Sequence, residues 1–408
     1  MTATIDRPAG VLATLRRTPA PVRYLLGGVL VNQLGAFVQT FMVLYLVFRG
    51  FSAAQAGLAI TAYSVGSVLG GLAGAELIHR IGPRATITAA MLGSATVLTV
   101  IPLLGRSALF VPLLPALLLA GLATQSYRPA AALLLSDLMP PDIRIMGFSM
   151  MRIALNLGGA LSPLIAAALI QLDWNLLFWF DAATALTYAV LARSLLPDVR
   201  IDRQSPDPAR AGARATYAVL LRDRRYLLFL ASVAIGTVIY VQYTIALPLK
   251  ISAAGHSTDL YSAVLVTSAI VLILCELKVT AYVSRWPGYV AATAGTALMG
   301  VAAASYGLAG TSAVALVAST VLLVFGIMIN GPTMFAYPAT FPGPVKARYI
   351  SAHQTTFGLG MAIGPLFGVA AWTTLGDGIW WLCGGLAQVA AVCALLGMLP
   401  PRKANPHE

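Results

Sequence analysis

Twelve apolar stretches of membrane-spanning length, separated by short polar loops, constrain this chain more than any other feature. They lie at about 24–48, 56–78, 86–104, 109–135, 146–170 and 175–196, then at 225–249, 260–282, 288–308, 312–335, 349–372 and 378–399. A bilayer core about 30 Å thick takes about 20 residues of helix to cross. Lipid offers the backbone no hydrogen-bond partner, so each stretch must satisfy its own N–H and C=O groups, which a helix does. Only 10% of residues are charged, whereas soluble domains carry about 25%, so the bilayer is the solvent. The strand alternation of a β-barrel is missing. The chain reads as an all-α membrane protein with 12 transmembrane helices.

One long polar segment divides the spans into two groups of six. It runs over residues 197–225, contains Pro206 and Pro208, and with Arg193 included carries eight arginines. The expected organisation is a tail at 1–23, a six-helix half at 24–196, a linker at 197–225, a second half at 226–399 and a tail at 400–408. The halves echo one another. Pro129 and Pro332 are 203 residues apart, Pro163 and Pro365 are 202 apart, and Gln39 and Gln242, each in the first span of its half, are 203 apart. Two pseudo-symmetric halves are therefore expected.

The net charge of +12 raises the question of nucleic acid, and its placement answers it. With the N-terminus inside, 20 of the 26 Lys and Arg residues fall on the inner side, three outside (Arg49, Arg106, Lys250) and three within spans (Arg128, Arg152, Lys278). That asymmetry is the positive-inside pattern and puts both termini in the cytoplasm. Attraction to anionic lipid follows; nucleic-acid binding does not. The apolar run after the basic N-terminus is too long for a signal-peptide core, so a retained first span is expected. Cys275, Cys383 and Cys393 have no metal-ligand spacing. No P-loop is present, so ATP is not the expected energy source, and no enzyme motif stands out. No metal and no cofactor are expected.

Polar groups inside spans are costly and mark function or tight packing. Gln125 to Pro163 is the richest stretch, with Arg128 and Arg152 each inside apolar sequence and a proline with small neighbours in each span. Candidate cavity residues are Asn32, Gln33, Gln39, Tyr127, Arg128, Asn156, Tyr240, Gln242, Tyr243, Asn330 and Gln354, all within spans. Helix–helix packing is the alternative role for Gln39, Gln242, Tyr127, Tyr240 and Tyr243; Arg128 is a candidate to bind a substrate anion or hold an acid ionised, or to tie spans four, one and five through carbonyls. His353 is a candidate proton acceptor or a structural histidine. The bends are expected at Pro129, Gly159, Pro163, Pro332, Gly364 and Pro365. Candidate proton carriers are the acids Asp181, Glu276 and Glu76; Asp181 lies about 10 Å deep in its span. Arg152 and Glu276 sit about six residues from the same end of their spans, with opposite charge, and are candidates to pair when that side is closed; the alternative is that Glu276 pairs with Lys278 or reaches the interface.

Twelve spans, two halves, a basic central linker and paired proline-bent helices resemble the major facilitator superfamily, and more narrowly its bacterial proton-coupled drug antiporters of the multidrug-resistance H type. The family's loop between spans two and three reads Gly-x-Leu-x-Asp-Arg-x-Gly-Arg-Arg. Here residues 75–84 read AELIHRIGPR: Leu77, Arg80, Gly82 and Arg84 match, whereas Ala75, His79 and Pro83 depart. The resemblance implies a charge relay at this gate, with Asp137 pairing with Arg80 or Arg84, Glu76 standing in for the missing acid, and Arg144 and Arg152 beside it. The run from Asn156 to Pro163 resembles the antiporter motif of the fifth span, with Ser162 before the proline, and Gly364-Pro365 keeps the Gly-Pro pair in span eleven. The glutamate that similar exporters carry in span ten is absent from Gly326-Ile327-Met328.

What the resemblance implies is a secondary transporter in a bacterial cytoplasmic membrane, working as a monomer among lipids. It would export small apolar or amphiphilic, drug-like compounds in exchange for protons, with uptake of a small metabolite by proton symport as the alternative. The energy source would be the proton gradient and the partner a small-molecule substrate.

Overall fold

A computed structural model describes residues 16–104, 110–198, 220–256 and 258–400. Among them are thirteen α-helices. In chain order they are α1 (Ala20–Leu34), α2 (Val38–Phe48), α3 (Ala53–Ile81), α4 (Pro83–Leu104), α5 (Phe110–Leu138), α6 (Arg144–Leu172) and α7 (Leu176–Leu195), then α8 (Arg224–Ala253), α9 (Thr258–Val283), α10 (Gly288–Leu308), α11 (Ala313–Ala336), α12 (Gly343–Leu375) and α13 (Gly378–Met398). Eleven of the described helices are long and apolar enough to cross a membrane. The first crossing is made by α1 and α2 together, because the chain leaves helical form at Gly35–Phe37. An unbroken first span was expected; the break is a finding of the structure. Gly35 sits there because α7 presses on it: a Cβ at this position would lie 2.9 Å from the Asp181 Cα.

Local chemistry sets the helix ends. Ser52 and Gln55 form a capping box at the start of α3, each side chain accepting from the other's backbone N–H. Gly82, at φ 85, ends α3 and lets α4 begin one residue later; a side chain there would strain the turn. Asp223 caps α8 and Ser312 caps α11, each accepting a backbone N–H three residues on.

The end of α7, the start of α8 and the end of α13 gather at one face of the bundle, here the linker face. Arg225 donates to the Leu399 carbonyl, Tyr337 to that of Gly397, and Arg84 both to the Leu196 carbonyl and to Asp198. The N-terminal half has a continuous apolar core running from Val22 to Leu196. Separate clusters serve the C-terminal half. The cores meet at the linker face, where Ala336, Ala339, Ala347 and Ile350 pack into the N-terminal one. Exposed Leu164, Val190, Leu274, Val314 and Leu366 form part of the outer apolar surface that lipid covers.

Glycine fixes how closely helices approach, since lipid gives them no hydrophobic drive to associate. On α3, Gly66, Gly70 and Gly74 recur every fourth residue, and a Cβ on any of them would run into a carbonyl of α5, at Leu118, Leu122 and Ser126 respectively. Ser126 Oγ donates across this seam to the Gly70 carbonyl. On α12, Gly360, Gly364 and Gly368 repeat the spacing against Thr237, Val241 and Gln242 of α8.

Candidate functional site

A cavity of about 340 Å³ lies between the two halves. Of the predicted residues, Gln33, Tyr127, Arg128, Asn156, Tyr240, Asn330 and Gln354 line it, together with Arg152. Asn156 donates to the Arg152 carbonyl, Asn330 bonds to Thr296 Oγ1 at 3.1 Å, and Tyr127 packs edge-on against Tyr188. Asn32 and Tyr243 fall outside the lining; Tyr243 stands behind Tyr240, ring centroids 5.4 Å apart. Gln39 falls on α2, but its side chain lies outside the described ones. Gln242 corrects the sequence reading. It is buried in the α8–α12 seam, donating to the Val238 and Gly364 carbonyls, so it packs helices and does not face the cavity.

The structure adds residues that the sequence reading passed over. Ser64, Ser67 and Gly71 of α3 line the cavity, a stripe at helical spacing on a span whose polar groups looked too small to notice. Met299, Met334, Phe335, Phe357 and Met361 supply part of the apolar wall, and no pattern distinguished them from other membrane-embedded residues. His353 lines the cavity too, its ring between those of Phe229 and Phe335.

Below the cavity, toward the linker face, the halves are joined. Arg152 Nε donates to Glu276 Oε1 at 2.8 Å. Ser149 reaches the same oxygen at 3.5 Å, and Thr280 bonds to Ser149 at 3.0 Å. Gly331 of α11 lies against the Arg152 guanidinium with no room for a Cβ. Glu276 is fully buried and Arg152 12% exposed, so a charge pair sits in an apolar seam of α6, α9 and α11. Arg152 is about 12 Å along α6 and Glu276 about 10 Å from the end of α9, both measured from the linker face. Two more bonds cross between the halves nearby: Lys346 to Asp137 at 2.5 Å, and Ser351 Oγ to the Gly71 carbonyl at 2.6 Å. At the opposite face the bonds run within a half, Tyr45 to Asn175 and Lys250 to Asp377.

The loop between α3 and α4 differs from the relay expected of it. Asp137 pairs with Lys346 of the other half, because α12 enters beside the end of α5. Arg84 is taken by Asp198 and the Leu196 carbonyl at the end of α7. Glu76 pairs with Arg80 one helical turn on, and both are exposed. Arg144 donates to the Ser136 carbonyl, closing the turn between α5 and α6. Pro129, Pro163, Pro332 and Pro365 lie inside helices, with Pro129 packed where Gly74 leaves space. Gly159 comes near only the Gln33 side chain, whereas Gly158 is the close contact between α6 and α1. Gly364 sits against Val241. Asp181 is buried outside the cavity lining, at the break between α1 and α2, where its Cα lies against Gly35.

Known proteins share this arrangement. A sodium, lithium, potassium/proton antiporter of Planococcus maritimus is 20% identical over 390 residues, covering 86% of this chain and 89% of its own. The crystal structure of the human organic anion transporter MFSD10 superposes with a TM-score of 0.72 at 17% identity, over 93% of this chain and 99% of its own. The Escherichia coli fucose:proton symporter superposes with a TM-score of 0.70 at 16% identity, over 94% of this chain and 98% of its own. The family model of the Major Facilitator Superfamily matches residues 25–365. With its two helical halves about a shared cavity, this chain is a multi-pass membrane transporter and belongs to the major facilitator superfamily.

Proposed function

We propose that the protein is a secondary active transporter that exports small apolar or amphiphilic compounds in exchange for protons. The observation that carries this reading is a cavity between the halves, closed beneath by the buried Arg152–Glu276 pair. Such a pair costs little while intact and much when separated without compensation, which makes it a two-state latch for alternating access. The charge asymmetry of the loops supports a linker face in the cytoplasm with both termini inside, and the bacterial relative supports a bacterial cell membrane. The conformation described is then the one closed toward the cytoplasm. Substrate would meet the Met- and Phe-rich wall, a surface that adapts to varied apolar shapes. A monomer in lipid suffices, since the cavity is complete within one chain.

Asp181 and Glu276 are the acids placed to carry the proton. Protonating Asp181 would neutralise a buried charge beside the break between α1 and α2, and protonating Glu276 would remove the charge that holds Arg152. Glu76 is exposed and already paired with Arg80, so it suits a structural role at the gate better. The antiporter of Planococcus maritimus supports exchange with protons. A second reading, uptake of a small metabolite by proton symport, draws on the fold shared with the fucose:proton symporter.

Everted membrane vesicles energised by respiration, followed with a pH-sensitive dye, test the proposal. Addition of a transported compound should release protons, and Asp181→Asn should abolish the release. Release that survives this substitution but not Glu276→Gln moves the proton site to the latch. Proton movement only when compound and protons enter together supports symport.

A further inference from the structure

The cavity wall carries a charge that the bundle itself leaves unbalanced. Among the lining residues the ionised side chains are Arg128 and Arg152, and neither Asp nor Glu is present. Arg152 is committed to Glu276. Arg128 makes no ion pair among the described residues, and its buried Nε has no hydrogen-bond acceptor. A guanidinium does not shed its proton to escape an apolar setting, so the penalty persists until an acceptor arrives. Both halves give the lining polar and apolar groups. The N-terminal half brings the amides of Gln33, Gln125 and Asn156, and the C-terminal half brings Met299, Met334, Phe335, Phe357 and Met361 beside Tyr240, Asn330 and Gln354.

We infer that the cavity is a binding site for a monovalent organic anion, whose carboxylate or sulfonate sits on Arg128 and whose apolar body lies on the Met and Phe wall of the C-terminal half. The fork of an arginine matches two oxygens of such a group in parallel hydrogen bonds. One charge is the right count, because the Arg152–Glu276 pair cancels and Arg128 alone remains. A divalent anion would keep an uncompensated charge unless it pulled Arg152 from Glu276 and opened the latch. A cationic amphiphile would meet Arg128 with no acid to receive it. The volume of about 340 Å³ suits a small molecule with one such group. The inference rests on reading this cavity as the transport site and narrows its substrates from amphiphiles in general to anions.

Full-length protein in a neutral maltoside detergent, with equilibrium binding of radiolabelled phenylbutyrate, phenylbutylamine and phenylbutanol, separates the possibilities without any gradient. Phenylbutyrate should bind saturably, about tenfold or more tighter than the amine. Arg128→Gln should remove that preference and leave phenylbutanol unchanged, and Arg128→Lys should retain part of it. Phe357→Ala should weaken the acid and the alcohol alike while keeping the preference for the anion, so the charge comparison stands even if Arg128→Gln fails to run as a single species on gel filtration. The inference is overturned by amine binding equal to or tighter than acid, by no saturable binding of the acid, or by a well-folded Arg128→Gln that still prefers it. Displacement of phenylbutyrate by added phosphatidylglycerol would give the site to a lipid headgroup and overturn its assignment to a free anion. Arg128-dependent binding without proton release in vesicles would leave the site standing and remove the exchange reading. Proton release driven by amines, independent of Arg128, would do the reverse.

Discussion

The two halves of the bundle use the same glycine spacing against different surfaces. In the N-terminal half, Gly66, Gly70 and Gly74 press on carbonyls of the neighbouring backbone. In the C-terminal half, Gly360, Gly364 and Gly368 meet chiefly side chains, those of Thr237, Val241 and Gln242. The seams also join different helices, α3 with α5 in one half and α8 with α12 in the other. A backbone contact has nothing that yields, whereas a side chain can change rotamer. The α3–α5 seam, beside the fixed charge of Arg128, is thus the stiffer of these two, and the α8–α12 seam the softer. Helix α9 extends the contrast: it contains no glycine, and it brings Glu276 to the seam between halves.

The hardest way to break this arrangement is at the seam itself. Arg152→Glu or Glu276→Arg alone leaves like charges buried, a loss on the order of 3–5 kcal/mol for the closed state, and transport should fall to background. The double reversal should restore a measurable fraction in a vesicle assay; no rescue would show that the two residues act separately. Next in size, Gly70→Ala should cost about 1–3 kcal/mol through overpacking against the Leu122 carbonyl, read as a lower Tm of the purified protein. Gly364→Ala, whose Cβ would meet the Val241 side chain at 3.0–3.3 Å, should cost less, at most about 1 kcal/mol. Equal shifts for the two glycines would remove the stiff-and-soft contrast. Smallest of all, Asp137→Asn breaks a pair that reaches solvent at the rim, with an effect of about 0–1 kcal/mol. Its signature would be a modest rise in the labelling of a cysteine placed at the linker face, without loss of Tm.

Much of the candidate site could be read before the fold was known, and the failures have physical causes. Arg128, Asn156 and Asn330 stood out because a polar group in an apolar span is expensive wherever it points. Arg152 and Glu276 could be matched by depth, since distance along a helix is counted directly in residues. Gln242 looked like a cavity residue by the same rule, but the rule says only that a polar group needs a partner, and Gly368 left space for it between helices. Asp137 was assigned to Arg80 or Arg84 of its own half, yet its partner is Lys346 from the other half. Ser64 and Ser67 escaped notice because small hydroxyls bond to their own helix, as both do here, and so disturb hydropathy little. The break at Gly35–Phe37 could not be told from an ordinary glycine in a span, because its cause is α7.

The sequence by itself determined that the chain crosses a membrane many times, that its spans fall into two related sets, and which side of the bundle gathers the basic residues. Those are properties of length, hydropathy and charge order, which accumulate along one dimension. Only the tertiary structure decided which polar groups face the cavity, which are consumed between helices, and which of the cavity's two arginines is left without an acid. Those outcomes depend on how each helix is turned about its axis, and that is set by contacts with glycines and carbonyls of helices distant in sequence.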